Sequence, residues 1–163
     1  MTERMHFDIV IVGAGPSGLS AAIRLGQLNQ SSSKPLSVCV LEKASEIGGH
    51  IISGNVLEPR ALDTLIPDWR KQNTPIQTPV KKDRFYLLTP KSSIRLPVPP
   101  QLNNHGNYII SLSKTCRWLA EEAEKLGITI IPGYAVTSGI YNKNQQMIGV
   151  KTGDMGIKKD GSP

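Results

Sequence analysis

Six residues near the start of the chain have the types and spacing of a phosphate-binding turn: Gly13-Ala14-Gly15-Pro16-Ser17-Gly18. In a G-x-G-x-x-G turn the first glycine makes the tight bend, the second lets the backbone approach a pyrophosphate, and the third lets helix and strand pack closely. Free N–H groups and the positive end of the following helix attract the phosphates. Further along, the carboxylate of Glu42 can accept hydrogen bonds from a ribose diol, and its charge would repel a 2′-phosphate.

A strand–helix–strand unit must position these residues. The apolar, β-branched run 9–12 is typical of a strand buried on both faces of a parallel sheet. A helical pattern follows the glycines, and the run 36–41 is a second buried strand that ends on Glu42. Because strand, glycine turn, helix, strand and acid all agree, dinucleotide binding is favoured over an ordinary glycine-rich turn.

A second glycine pair, Gly48-Gly49, follows Glu42 closely. This arrangement resembles FAD-binding proteins of the glutathione-reductase-like superfamily, in which the chain passes beside the pyrophosphate and the isoalloxazine ring. It favours FAD over NAD, with a simple turn as the alternative. His50 would lie near the flavin or be a surface histidine. The predicted cofactor-binding residues are Gly13, Ala14, Gly15, Pro16, Ser17, Gly18, Glu42, Lys43, Gly49, His50, Ser53, Gly54 and Val136.

The remaining patterns complete the predicted fold class, an α/β, doubly wound Rossmann-like domain that is incomplete. A helix is expected over 116–126 with Gly127 as its C-cap, then a third parallel strand over 128–131. The backbone after that strand would meet the adenine at Val136, although an ordinary strand residue is the alternative. The segments 136–141 and 147–152 predict a β-hairpin. An inserted, substrate-side segment is expected to pair 85–88 with 94–96.

Composition limits the function classes. The chain has 163 residues, a formal charge of +6, 39% apolar and 20% charged residues, which excludes collagen-like and disordered proteins. Cys39 and Cys116 are too few for a disulfide framework or a four-thiolate metal site and are expected to be small buried residues. The stretch from Arg60 to Arg117 contains ten basic residues and only three acidic ones. This excess indicates a solvated face, or a surface for anionic lipid or an acidic protein; nucleic acid is disfavoured.

With these motifs in view, the chain resembles the N-terminal part of the electron-transfer flavoprotein–ubiquinone oxidoreductase family. The most particular matching runs are Asn103-Asn104-His105-Gly106-Asn107-Tyr108-Ile109 and Gly153-Asp154-Met155-Gly156-Ile157. The resemblance implies a monotopic membrane flavoprotein with one FAD and one 4Fe-4S cluster. Such a protein takes electrons from the electron-transfer flavoprotein and reduces ubiquinone, at a bacterial or mitochondrial inner membrane. The family's cluster cysteines and quinone-contacting glycines lie downstream of residue 163, so we expect a portion that is inactive alone.

The resemblance also divides the chain into a first FAD-binding half (1–54), an inserted membrane- or quinone-side segment (55–110), and a return to the FAD domain (111–163). The residues themselves offer no metal triad and no nucleophile with its base, so no catalytic residue and no metal ligand are predicted, and the N-terminal pattern predicts no targeting signal. The resemblance suggests membrane contact by the stretch 47–68, with Trp69 at the interface and packing within the domain as the alternative. The apolar residues of that stretch are Ile51, Ile52, Val56, Leu57, Leu62, Leu65 and Ile66.

Two other functions stay open. One is an FAD enzyme that uses NAD(P)H, of the geranylgeranyl-reductase-like or hydroxylase-like group. The other is a nucleotide-binding fragment without activity.

Overall fold

A computed structural model describes residues 4–52 and 54–153. Ser53 and the run from Asp154 to Ile157, both named above, lie outside the described residues. In chain order the helices and strands are β1 (Ile9–Val12), α1 (Pro16–Gln30), β2 (Val38–Glu42), β3 (Asn55–Leu57), α2 (Arg60–Leu65), β4 (Thr78–Pro79), β5 (Phe85–Leu88), β6 (Ser93–Leu96), β7 (Tyr108–Ile110), α3 (Leu112–Lys125), β8 (Thr129–Pro132), β9 (Val136–Tyr141) and β10 (Met147–Thr152). Short 3-10 helices span Trp69–Lys71 and Pro100–Leu102.

The chain divides into two compact units. The first unit comprises residues 1–51 with 116–163, and the second unit comprises residues 52–115. The division at 54 and 110 that the resemblance suggests stays a prediction.

The first unit contains a parallel sheet in the order β1-β2-β8. Val10 lies opposite Cys39, and Val40 lies opposite Ile130. This is the order of strands 1, 2 and 3 in the doubly wound fold, so the predicted fold class is confirmed. In the described part of the chain β1 forms one edge of this sheet, and Val12 there is 57% exposed.

The second strand begins two residues later than the sequence predicts. Leu36 is excluded from β2 because the Asn29 side chain bonds both of its backbone groups, its O at 2.7 Å and its N at 3.0 Å. The third strand is likewise displaced by one residue, to Thr129–Pro132. The helix before it ends as expected: Gly127 has φ +82°, and the Ile128 N–H donates to the Ala123 carbonyl at 3.2 Å.

Helices cover the apolar strands of the first unit. Leu19, Ala22 and Ile23 of α1 are buried. Cys116, Leu119, Ala120 and Ala123 of α3 are also buried. A Cβ placed on Gly26 of α1 would come within 2.6 Å of the Leu126 Cβ, so the two segments approach more closely than a side chain at Gly26 permits.

The second unit contains two small antiparallel sheets. The hairpin of β5 and β6 agrees with the prediction, whereas the three-stranded sheet in the order β3-β7-β4 was not predicted. Trp69, 1% exposed, fills the core of this unit. Its Nε1–H donates to Asp63 Oδ1 at 2.7 Å, the Tyr108 ring meets it edge-on at 5.3 Å, and the Arg70 guanidinium lies 4.4 Å from its ring centre.

These contacts correct the expected membrane segment. Trp69, Leu62 and Ile66 are buried within the protein, so the prediction that they face lipid is wrong. The physical reason is that Asp63, six residues before Trp69, satisfies its indole N–H inside the fold. Of the same stretch, Ile52 and Val56 are exposed. No helix among the described residues is long and apolar enough to cross a membrane.

Candidate dinucleotide-binding site

The glycine turn joins β1 to α1 and is fastened to β2. Gly13 has φ +100°, a conformation that favours glycine, and its N–H donates to the Leu41 carbonyl at 2.7 Å. Gly15 is the N-cap of α1, with Pro16 in the first turn. No described side chain caps this helix. Its first-turn N–H groups therefore remain available to an anion, and the helix dipole adds a favourable field.

Gly15 and Gly18 have different physical roles. A Cβ on Gly18 would lie 2.0 Å from the Gly13 carbonyl oxygen, so this glycine is required by packing inside the turn. A Cβ on Gly15 would meet no atom within 4 Å. The backbone at Gly15 therefore faces open space in front of the helix N-terminus. These residues fit a pyrophosphate, which needs that space and those N–H groups.

Glu42 ties the turn to the loop that follows β2. Its Oε2 accepts from the Ala14 N–H at 2.8 Å, and its Oε1 accepts from the Ala44 N–H at 2.9 Å. Each carboxylate oxygen has a further lone pair for a ribose hydroxyl. The carboxylate thus holds two backbone segments in place and can still serve the role that the sequence suggests.

The two cysteines are buried, as expected. Burial, and secondarily the negative charge of Glu42, raises the pKa of Cys116 to about 11. Burial also raises the pKa of Cys39. Burial therefore favours the protonated form of both thiols, and neither is an activated nucleophile.

The second glycine pair forms a tight loop after β2. Gly48 has φ +79°, and the Gly49 N–H donates to the Glu46 carbonyl at 3.1 Å. A Cβ on Gly49 would lie 3.2 Å from that same oxygen. Close packing within the loop is therefore enough to explain why position 49 is a glycine. This supports the alternative that the glycine pair forms a simple turn.

Arg117 of α3 holds this loop, and sequence reasoning missed it. Its Nε–H donates to the Ile47 carbonyl at 3.0 Å, and its Nη2 lies 3.4 Å from Glu46 Oε1. The contact spans 70 residues of sequence. No local sequence pattern predicts this contact, because an arginine on an exposed helix face is common.

The structure places the other predicted residues as follows. Lys43 and His50 are exposed, and Val136 is half-buried at the start of β9. The segment before Val136 runs beside β2, because the Tyr134 N–H donates to the Glu42 carbonyl at 2.9 Å. Gly54, with φ +96°, belongs to the second unit. The site thus brings together the glycine turn, Glu42 and the 43–50 loop within the first unit.

Comparisons with known proteins agree with this geometry. Residues 11–69 match the NAD(P)-binding Rossmann-like domain family. The mitochondrial electron transfer flavoprotein-ubiquinone oxidoreductase of rice is 56% identical over 160 residues, which are 98% of this chain and 28% of the rice protein. The enzyme of the same name from Pseudomonas aeruginosa is 50% identical, over 99% of this chain and 30% of that protein. The resemblance to electron transfer flavoprotein-ubiquinone oxidoreductases is confirmed.

Solved structures share the fold. A geranylgeranyl bacteriochlorophyll reductase-like protein from Thermoplasma acidophilum has a TM-score of 0.65 and 25% identity, covering 90% of this chain and 34% of that one. FqzB has a TM-score of 0.57 and 20% identity, covering 87% of this chain and 34% of that one. The second likeness concerns the fold alone.

Proposed function

We propose that this chain is the FAD-binding and membrane-facing part of an enzyme that passes electrons from reduced electron-transfer flavoprotein to ubiquinone. The observation that carries the proposal is the 56% identity to the rice oxidoreductase over 98% of the chain. The open space at Gly15, in front of an uncapped helix, supports a dinucleotide at this place.

The residues of the first unit have separate tasks toward FAD. The N–H groups at the start of α1 bind the pyrophosphate over Gly15, and Glu42 accepts from the ribose. Lys43, Gly49 and His50 lie on the loop that Arg117 holds and would orient the rest of the cofactor. Ser53, Gly54 and Val136 complete the proposed set. When bound, FAD supplies the redox chemistry, and the protein supplies binding and orientation.

A 4Fe-4S cluster does not fit this part of the protein. Such a cluster needs thiolate ligands, usually four, whereas the sequence has two cysteines, Cys39 in β2 and Cys116 in α3, and both are buried. No group of three or more potential metal ligands occurs among the described residues. We therefore assign no cluster ligand to this chain.

Membrane contact is proposed at the hairpin of β5 and β6. Phe85 lies opposite Leu96 and Leu87 opposite Ile94, so these four apolar side chains share one face. Phe85, Leu87 and Ile94 are all exposed, with Leu87 and Ile94 at 52%. A two-stranded hairpin is at best marginally stable alone in water, and an apolar phase beside this face would stabilise it. Ile52 and Val56 remain as candidates from the stretch 47–68.

An FAD enzyme that oxidises NAD(P)H is the second candidate function, because the Thermoplasma reductase-like protein shares the fold. The deciding experiment uses the purified full-length protein with FAD. We expect it to oxidise reduced electron-transfer flavoprotein when a short-chain ubiquinone is present and to leave NADPH unoxidised. NADPH oxidation without electron-transfer flavoprotein oxidation would overturn the proposal in favour of the second candidate.

A further inference from the structure

An open cavity of about 540 Å³ lies in the second unit, lined by residues 77–82, Arg84 and Ile109. We call it the 77–84 groove. It runs along β4, one of the two outer strands of the three-stranded sheet, and it adjoins the β5–β6 hairpin in the chain because Phe85 follows Arg84. Nothing in the proposed electron-transfer chemistry uses this groove.

Three cationic side chains give the groove a net positive charge. Lys81, Lys82 and Arg84 line it. None of the three takes part in an ion pair among the described residues, whose pairs are Arg60–Glu58, Arg70–Asp63, Arg117–Glu46 and Lys125–Glu122. Unpaired cations close together repel one another, so a bound anion would stabilise this arrangement.

Asp83 stands among these cations in sequence, but its carboxylate is engaged elsewhere. Its Oδ2 accepts from the Asn104 N–H at 2.9 Å, and its Oδ1 accepts from Asn104 Nδ2 at 3.0 Å. These bonds lower the pKa of Asp83 and use its oxygens to fix the 103–107 loop. The acid therefore stays ionised and reduces the local positive charge, but it forms an ion pair with none of the three cations in the described part of the chain.

Apolar and cationic surfaces are contiguous here, and this combination selects the ligand class. Ile109, 52% exposed, lines the groove, and the apolar face of the hairpin begins one residue after Arg84. Lys91, between the two strands of the hairpin, adds another cation without an ion-pair partner in the described part of the chain, whereas Arg95 lies opposite Tyr86 on the other face. A phosphate next to acyl chains matches both surfaces, whereas a purely polar anion would leave the apolar face in water.

We propose that the 77–84 groove binds the phosphate of an anionic phospholipid while the hairpin face contacts its acyl chains. The inference rests on the membrane contact in the proposed function and adds a headgroup preference to it. Lys81, Lys82 and Arg84 supply the recognition. Gln77 and Thr78 line the same groove and offer polar groups beside these cations.

The test uses the full-length, flavin-loaded protein and sedimentation with two kinds of vesicle, pure phosphatidylcholine and phosphatidylcholine containing phosphatidylglycerol. The triple variant Lys81→Gln, Lys82→Gln, Arg84→Gln should bind the anionic vesicles about 100-fold more weakly, since each cation at an anionic surface adds about a factor of five. Its binding to neutral vesicles should not change. The single variant Lys82→Gln should lose about fivefold, which keeps the test valid if the triple variant folds poorly.

A matched control removes the same charge from exposed positions outside the groove, by Arg24→Gln, Lys34→Gln and Lys143→Gln. It should lose far less affinity for anionic vesicles. If both triple variants lost the same affinity for anionic vesicles, or if the native protein showed no preference for anionic vesicles, the proposed phosphate binding in the groove would be wrong. A separate variant, Leu87→Ser with Ile94→Ser, tests the hairpin. If it binds both vesicles normally, the hairpin contact fails while the groove result still stands.

Discussion

Two apolar runs of similar length have opposite surroundings in this protein. Val38–Leu41 lies in the centre of a parallel sheet, with all four residues buried. Phe85–Leu88 lies in a two-stranded hairpin, and all four residues are exposed. The difference comes from the neighbours, because β2 has a strand on either side whereas β5 has a single partner. An apolar run therefore predicts a strand, and the topology decides what the strand faces.

The largest effect is expected from placing a charge in each run. Val40→Lys should prevent folding of the first unit, with a loss of more than about 4 kcal/mol, because the ammonium would be buried without a partner. Leu87→Lys is the matched change in the hairpin and should cost less than about 1 kcal/mol, since the side chain is half exposed. Chemical denaturation of both variants measures the difference. Equal losses would show that the hairpin is packed in solution.

The next effect separates two glycines of the turn at residues 13–18. Gly18→Val should destabilise the first unit by about 3 kcal/mol or more, because its Cβ would press on the Gly13 carbonyl 2.0 Å away. Gly15→Val should change stability by less than about 1 kcal/mol, since its Cβ meets nothing within 4 Å, yet it should abolish FAD retention. Thermal unfolding of the apoprotein and flavin content after gel filtration distinguish the two. Stoichiometric FAD in Gly15→Val would contradict the proposed site.

The two units also differ in how well their folds can be predicted from the sequence. The first unit was predictable because a glycine turn, two apolar strands and an acid are local patterns with known geometry. The sheet of β3, β7 and β4 was not, because its strands have only two or three residues and Thr78–Pro79 contains a proline. Its partners Asn55 and Ile110 meet across more than fifty residues of chain.

The site shows the same limit. Spacing predicts the glycines and Glu42 as cofactor residues, whereas the Arg117 contact with the Ile47 carbonyl depends on how α3 packs. The prediction that Trp69 lies at a membrane interface is wrong for a related reason. Its apolar neighbours at helical spacing fit a lipid-facing helix and a core-facing helix equally well, and only the bond to Asp63 shows which is present.

A smaller effect should come from the tether that Arg117 provides. Arg117→Met removes a hydrogen bond to the Ile47 carbonyl and should raise the dissociation constant of FAD roughly fivefold, about 1 kcal/mol. The half-exposed ion pair with Glu46 contributes little, so Glu46→Gln should leave FAD affinity nearly unchanged. Arg117→Lys should restore part of the affinity. Flavin fluorescence titration and the visible flavin spectrum report the result, and equal losses in Arg117→Met and Glu46→Gln would assign the effect to charge instead.

The smallest effect compares one carboxylate from each unit. The hydroxyl and N–H of Ser37 lower the pKa of Asp8, whereas Arg70 first and Trp69 second lower the pKa of Asp63. A lowered pKa in the folded state means that each group stabilises the fold above its unfolded value of about 3.9, and that this contribution is lost as the pH falls through the folded value. In the Asp8→Asn and Asp63→Asn variants, the free energy of unfolding should therefore fall less steeply below about pH 4 than it does in the wild type.

Salt should separate the two carboxylates. The Arg70 cation is screened at 1 M salt, so the acid-dependent difference between wild type and Asp63→Asn should shrink there. The neutral donors of Ser37 are not screened, so the difference for Asp8→Asn should persist. Urea denaturation between pH 2 and 6, at low and high salt, measures both. If salt changed the two differences equally, the Arg70 charge would not be the cause of the lowered pKa at Asp63.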